Sequence, residues 1–391
     1  MEYQINKEKG IANIGDLHRL KEVFARAEHG ENLTVGFLGG SITQGSLSST
    51  PQTCYAYRVY EWWCETFPQA KFTYLNAGIG GTTSQFGVAR VQSDLLDKRP
   101  DFVIIEFSVN DDATEHFMET YEGLVRRVYG ADWNPAVLLV HNVYYHNGGN
   151  AQLMHGRIGR HYHLPAVSMQ SSIYPEVVAG RIENRTITPD DLHPNDAGHA
   201  LVASVITHFL EKVRVGELDA FSDDHVDRGC GEAAENTGDG LPAPLTENAY
   251  EHSVRYRNSS APDMLGKEQP VLSGFAEDKT PQEDITDCFK YGWMASHAGD
   301  AVTFHVEGSC IAVQYRKSVK LPAPIAEVTV DGDTAHAVRL DANFDETWGD
   351  KLELDTILEH GKDAVHEVVI RLVETHEEDV VPFYLVSVIG S

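Results

Sequence analysis

Basic charge is scarce in this chain of 391 residues: 31 lysines and arginines stand against 59 aspartates and glutamates, a formal charge of -28. Such a surface repels phosphate backbones and anionic bilayers, so nucleic acid and membrane are poor candidates for partners, whereas a neutral molecule such as a sugar ester is compatible. Cysteine is scarce too. Cys54, Cys64, Cys230, Cys288 and Cys310 are odd in number and lack a CxxC spacing, which argues against both a disulfide framework and a zinc site and for free, mostly buried thiols. No apolar run approaches a membrane span, and the opening residues Met1 to Gly10 lack the apolar core of a secretory signal; for a natural start the expected location is the cytoplasm. Internal repeats and low-complexity tracts are absent as well.

What is present is enough apolar residue, 42%, to build the cores of two domains. Residues 11 to 29 carry Leu17, Leu20, Val23 and Phe24 at helical spacing. Short apolar runs then alternate with helical stripes: strands at Lys71 to Leu75, Phe102 to Phe107, Ala136 to His141 and Ala166 to Met169, with helices at Cys54 to Phe67, Thr83 to Asp97, Glu115 to Tyr129 and Ala151 to His163. Strands that are apolar nearly throughout and alternate with helices indicate a parallel sheet covered on both faces, a three-layer α/β/α domain. An amphipathic helix from Asn195 to Val213, with Asn195 as its cap, closes it.

The domain is organised around Thr34-Val35-Gly36-Phe37-Leu38-Gly39-Gly40-Ser41-Ile42-Thr43-Gln44-Gly45, where a buried strand delivers one hydroxyl, Ser41, onto a tight turn before a helix. Alone this is ordinary turn chemistry. Three later stretches add to it: Asn76-Ala77-Gly78-Ile79-Gly80-Gly81-Thr82-Thr83 and Ser108-Val109-Asn110-Asp111 each follow an apolar run, and Asp190-Asp191-Leu192-His193-Pro194-Asn195 opens the last helix. In this order and spacing the four blocks, spanning about residues 30 to 213, resemble the SGNH subgroup of the GDSL hydrolases, with the four name residues at Ser41, Gly81, Asn110 and His193. The resemblance implies a flavodoxin-like parallel sheet and a serine-dependent acyl transfer. The family often has Asp immediately before the nucleophile, where this chain has Gly40.

The chemistry needs these residue types. A serine hydroxyl attacks only when a base takes its proton, and an imidazole near the ordinary histidine pKa suits that task. His193 is the candidate base, and Asp190, three residues upstream, can hold its other nitrogen from the same loop. Asp191 is the immediate rival; Asp-x-x-His is the family's spacing and favours Asp190. The oxyanion formed on attack needs donors already in place, for which the Ser41 N–H, the Gly81 N–H and the Asn110 amide are the candidates, with Gly80 the neighbouring alternative. No metal or organic cofactor is required.

Other residues have plainer readings. Trp62 and Trp63 sit on an apolar helix face and read as core; Glu106, a carboxylate in an apolar strand, reads as a hydrogen-bond acceptor for neighbouring turns. His141, His146, His155, His161 and His163 are irregularly spaced and do not suggest a metal site. His141 and Tyr144, at a strand end, are candidates for lining a substrate pocket.

Residues 214–248 turn acidic and rich in Gly and Pro and read as a linker between a catalytic domain, 1–213, and a second domain, 249–391. There, short alternating segments at Ala301 to His305, Cys310 to Tyr315, Ala326 to Val330, His336 to Leu340, Glu367 to Leu372 and Tyr384 to Ile389 indicate a β-sandwich. Its pattern is similar to the jelly-roll accessory modules of carbohydrate esterases. Tyr291, Trp293 and Trp348 are candidates for stacking on a sugar ring, and the Asp331/Asp333 pair reads as turn chemistry rather than a calcium site. The resemblance implies a carbohydrate O-acetylesterase, acting on acetylated manno-oligosaccharides ahead of xylo-oligosaccharides, with which the acidic charge and the extra β-domain agree. The alternatives are a lipase or thioesterase, which would show a long apolar groove, and a sugar-binding protein on an inactive hydrolase fold.

Overall fold

A computed structural model of the chain describes residues 3–222, 240–262, 268–346 and 348–391. It divides into two compact units, Met1–Glu251 and His252–Ser391.

The first unit holds a six-stranded sheet with helices on both faces. Its strands are β1 (Ile11–Asn13), β2 (Asn32–Gly39), β3 (Lys71–Gly78), β4 (Phe102–Glu106), β5 (Ala136–His141) and β6 (Ala166–Ser168). Its main helices are α1 (His18–Glu28), α2 (Ser41–Gln44), α3 (Tyr55–Thr66), α4 (Ser84–Asp94), α5 (Glu115–Tyr129), α6 (Gln152–His161), α7 (Met169–Ser172), α8 (Tyr174–Val178) and α9 (Asp196–Arg214). The order is β1-β6-β5-β4-β2-β3, parallel from β6 to β3. Setting β1 aside, this is the flavodoxin-like order, whose switch point lies at β2, between β3 and β4. Ser41, Gly81 and Asn110 all follow the carboxyl ends of those three strands.

Alternation along each strand decides which layer a side chain enters. Phe102, Ile104, Leu138 and Val140 join the core beneath α1, α3 and α9, in which Trp63 is fully buried among Phe24, Phe67 and Phe102. Both tryptophans of α3 pack into this core, Trp62 partly buried. The stretch expected as one helix over 11 to 29 is instead β1 followed by α1; Ile11–Asn13 forms an antiparallel edge on β6. Asn195 caps α9 as expected, its Oδ1 accepting the N–H groups of Ala197 and Gly198.

The segment read as a linker belongs in part to the first unit. Buried Glu122 on α5 accepts the N–H groups of Leu245 and Thr246, Glu119 accepts that of Ala249, and Arg126 donates to the Pro242 carbonyl and to Glu251. Three charged side chains on one helix thus hold residues 242–251 down, a function that turn composition does not reveal. The acidic middle of that segment and Cys230 lie outside the described residues. Cys54, Cys64, Cys288 and Cys310 are free thiols. Among the described residues no helix is long and apolar enough to cross a membrane.

The second unit packs two antiparallel sheets around one core. One sheet contains β7 (Val254–Tyr256), β9 (Ala276–Glu277), β10 (Trp293–Ala295), β12 (Ile311–Lys317), β15 (Lys351–Leu358) and β17 (Phe383–Gly390). The other contains β8 (Val271–Ser273), β11 (Ala301–Gly308), β13 (Ile325–Val330), β14 (Val338–Asp341) and β16 (Ala364–Glu374). Both sheets contribute inward residues, among them Trp293, Val313 and Leu385 from the first and Phe304, Val328 and Ile370 from the second. The expected sandwich is therefore present.

Candidate active site

Ser41 leaves the end of β2 as the first residue of the single-turn helix α2, closed by Gly45 in the left-handed region at φ 102°. It is buried to 7% exposure, and its Oγ lies 2.8 Å from His193 Nε2. The other ring nitrogen, Nδ1, lies 2.6 Å from Asp190 Oδ2. Asp190 Oδ1 accepts the backbone N–H groups of His193 at 2.7 Å and Leu192 at 3.1 Å. One carboxylate therefore shapes the loop with one oxygen and orients the imidazole with the other. Partial burial works to raise the Asp190 carboxyl, but these hydrogen bonds, that from the His193 ring foremost, hold it below its ordinary value. An ionised Asp190 fixes the proton on Nδ1 and leaves Nε2 as acceptor for the Ser41 hydroxyl.

Asp191 takes no part in this arrangement. Its carboxylate is engaged by Arg185 at 2.7 Å and by the Asn184 amide.

Two devices hold the nucleophile turn against the histidine loop, and neither was legible in the sequence. Asp196, in the first turn of α9, accepts from the Ser49 N–H, the Ser49 hydroxyl and the Thr53 hydroxyl, which lowers its pKa to about 2. His199, one turn along, receives the Tyr55 N–H on Nδ1 and lies 3.3 Å from the Ser46 carbonyl through Nε2. Burial lowers its pKa to about 4, so the ring is neutral and Nε2 donates to Ser46.

The candidate oxyanion donors lie on three segments that follow β2, β3 and β4. Gly81 has φ 69°, and a Cβ there would meet nothing within 4 Å, so the strain for any other residue is in the backbone alone. Its N–H makes no hydrogen bond among the described residues, whereas the neighbouring Gly80 N–H is already taken by Gln44 Oε1 at 2.7 Å. Asn76 supports the same loop, accepting the Gly78 N–H and donating to the Thr43 carbonyl at 2.8 Å.

Gly40 has a steric neighbour. Its φ of -89° is open to any residue, but a Cβ would overlap Asn110 Oδ1. The Asn110 amide thus occupies the space beside position 40, with Oδ1 buried against it. Support beneath the turn comes from elsewhere: the Tyr55 hydroxyl lies 2.7 Å from Thr43 Oγ1, which donates to Glu106 Oε2 at 3.2 Å. Glu106 is fully buried, and burial pushes its pKa up to about 7 against the pull of hydrogen bonds from the Asn142 amide and the Thr43 hydroxyl.

The residues expected to line the substrate site fare unevenly. Tyr144 is half-buried, and its pKa is raised by burial and by the charges of Asp112 and Asp190. His141 is a correction: the ring is 1% exposed, with both nitrogens buried, and burial lowers its pKa to about 3. Strand parity turns it into the layer beside His155 rather than outward. Trp293 is a second correction, since it is fully buried in the core of the second unit against Phe304. Tyr291 is half-buried beneath the Arg257 guanidinium, 5.5 Å from its ring centroid. Trp348 is 61% exposed, packs edge-on against Phe344, and donates its indole N–H to Glu346. Among the described residues no group of three or more His, Cys, Asp or Glu side chains is gathered as metal ligands.

Comparison with known proteins agrees with this geometry. The profile of the GDSL-like lipase/acylhydrolase family matches residues 37–201, which contain Ser41, Gly81, Asn110 and His193. Two crystal structures of a two-domain esterase active on acetylated mannans are each 69% identical to this chain. One, co-crystallised with mannopentaose, covers 100% of this chain and 98% of its own with a TM-score of 0.91; the other covers 99% of each with a TM-score of 0.90. An acetylxylan esterase from Geobacillus stearothermophilus, in a catalytic-mutant form, is 19% identical over 46% of this chain and 95% of its own, with a TM-score of 0.40. No curated protein matches the sequence. With identity at that level across both units, and the family's four blocks in place around a Ser-His-Asp array, the chain belongs to the GDSL-like lipase/acylhydrolase family.

Proposed function

We propose that this protein is a serine esterase that removes O-acetyl groups from carbohydrates, acetylated manno-oligosaccharides first among them. The observation that carries the chemistry is the continuous array of Ser41 Oγ, His193 and Asp190, with contacts of 2.8 and 2.6 Å. The substrate class is supported by the 69% identity, over the full length, to an esterase active on acetylated mannans.

His193 Nε2 takes the Ser41 proton as Oγ attacks the acetyl carbonyl carbon, and the carbonyl electron pair moves onto oxygen. The Ser41 N–H, the Gly81 N–H and the Asn110 Nδ2–H receive this oxyanion; one such donor is typically worth ~100- to 1000-fold in kcat. Asp190 stabilises the imidazolium, which then protonates the departing sugar oxygen as the ester C–O bond breaks. The acetyl-serine is hydrolysed by the reverse arrangement: His193 deprotonates a water, a second oxyanion forms, and acetate leaves as Ser41 regains its proton. Only protein groups and water appear in these steps. In the second unit, the exposed face of Trp348, with Glu346 holding its indole, offers a platform for a sugar ring.

The test is mass spectrometry of acetylated manno- and xylo-oligosaccharides incubated with the wild type and with Ser41→Ala, beside a series of short- to long-chain acyl esters. Loss of 2-carbon acyl groups from manno-oligosaccharides by the wild type alone is the expected result; preference for long acyl chains on simple esters, with the glycans untouched, would make the protein a lipase or thioesterase. Trp348→Ala is expected to raise KM for oligosaccharides and leave small aryl acetates unchanged.

A further inference from the structure

Two of the proposed oxyanion donors, the Gly81 N–H and the Asn110 amide, lie on separate loops that must hold a common spacing to within a fraction of an ångström. Asp111 joins those loops. It follows Asn110 in a turn where both residues donate their N–H to the Phe107 carbonyl at 3.0 Å, so its backbone and that of Asn110 move together. Its Oδ1 accepts the N–H of Ser84 at 2.8 Å, at the start of α4 and three residues after Gly81. The Ser84 hydroxyl in turn lies 2.7 Å from Thr120 Oγ1 on α5.

The second carboxylate oxygen is held from behind. His155 Nε2, on α6, lies 3.0 Å from Asp111 Oδ2, and both side chains are fully buried. The imidazole lies flat on the Tyr121 ring, with centroids 3.6 Å apart and planes 3° from parallel, which supports it on that face. His155 Nδ1 has no partner, so the ring's single hydrogen bond goes to the carboxylate.

We propose that Asp111, oriented by His155, is a positioning residue for ester hydrolysis: it fixes the distance between the Gly81 and Asn110 donors and so the grip on the oxyanion. The assignment rests on the reading of those two groups as oxyanion donors. It explains why a buried Asp-His pair, away from the Ser41 hydroxyl and without access to substrate, stands behind this wall of the site.

The test is a double-mutant cycle on a small acetyl ester, using Asp111→Ala, Asn110→Ala and both together, with Asp111→Asn and Ser41→Ala as references. Asp111→Ala is expected to lower kcat by ~10- to 100-fold, with KM and the shape of the pH profile unchanged. Its cost shrinks severalfold in the Asn110→Ala background, because part of what it positions is already gone. Asp111→Asn stays within about threefold of wild type, since its Oδ1 still accepts from Ser84 and its amide can donate to the other His155 tautomer. If Asp111→Ala does not fold, His155→Phe keeps the ring on Tyr121 and removes only the hydrogen bond, and the same lowering of kcat at constant KM is expected. An equal cost of Asp111→Ala in both backgrounds, or an unchanged kcat, would overturn the positioning role even with hydrolysis still dependent on Ser41. Turnover surviving in Ser41→Ala would instead overturn the esterase reading on which it rests.

Discussion

Glu106 gives the sharpest quantitative expectation. The carboxyl ends β4 beneath the nucleophile turn, with the Thr43 hydroxyl donating to Oε2. Burial raises its pKa from the ordinary 4.5 to about 7, with the nearby Asp111 charge adding to the effect. A carboxyl raised in the folded state favours folding in its protonated form. Its contribution is complete below the unfolded value and is lost as pH rises through the folded one. At roughly 1.4 kcal/mol for each pH unit between the two values, wild type forfeits about 3 kcal/mol between about pH 4.5 and pH 7. Glu106→Gln keeps an oxygen for Thr43 and does not titrate, so it carries no such term. Urea unfolding followed by the far-ultraviolet dichroism of the helices reports the first unit, where the described α-helices lie. The stability of Glu106→Gln relative to wild type is expected to rise by about 3 kcal/mol from about pH 4.5 to about pH 8, whatever its offset at the acid end. A difference that stays flat across that range would refute the reasoning, because it would mean that Glu106 titrates in the fold as it does in the unfolded chain.

Asp190→Asn is expected to lower kcat by roughly 1000- to 10,000-fold, as loss of the correct imidazole tautomer does in other triads, while Asp191→Asn stays within a few-fold; steady-state kinetics on one acetyl ester separates the two. Asp196, held to about 2 by the Ser49 and Thr53 hydrogen bonds, stabilises the fold above its ordinary value of 3.8, and the benefit is lost as pH falls through about 2. Asp196→Asn should therefore melt below wild type near neutrality, with the gap closing in acid. Gly40→Ala forces its Cβ into Asn110 and should lower kcat by ~100-fold with KM little changed, the signature of a displaced oxyanion donor. A Gly40→Ala enzyme with wild-type kcat would show that Asn110 is free to move.

Much of the first unit was legible because strand and helix there obey different periods: α5 and β5 have the bounds that their apolar patterns set, Glu115–Tyr129 and Ala136–His141. The misses have particular causes. Ile11–Asn13 is too short to show a period and is a strand only because β6 offers it an edge. Lys351–Leu358 alternates as a strand should, but its Lys, Glu and Asp obscured the pattern. His141 was placed correctly at a strand end, yet the face it takes depends on parity, and Trp293 likewise turns inward. In the site, the four blocks marked Ser41, His193 and their neighbours because each is local in sequence. The ties among blocks were not: Asp196 to Ser49 spans 147 residues and His155 to Asp111 spans 44, and no periodicity links such distant positions.

The packing of Asn110 against Gly40 has a consequence for how such a chain is recognised. On this backbone any side chain at position 40, the Asp that the resemblance leads one to expect included, would have to displace the Asn110 amide. The glycine and the amide therefore share one space, and a search pattern that insists on Asp before the serine would pass over this chain.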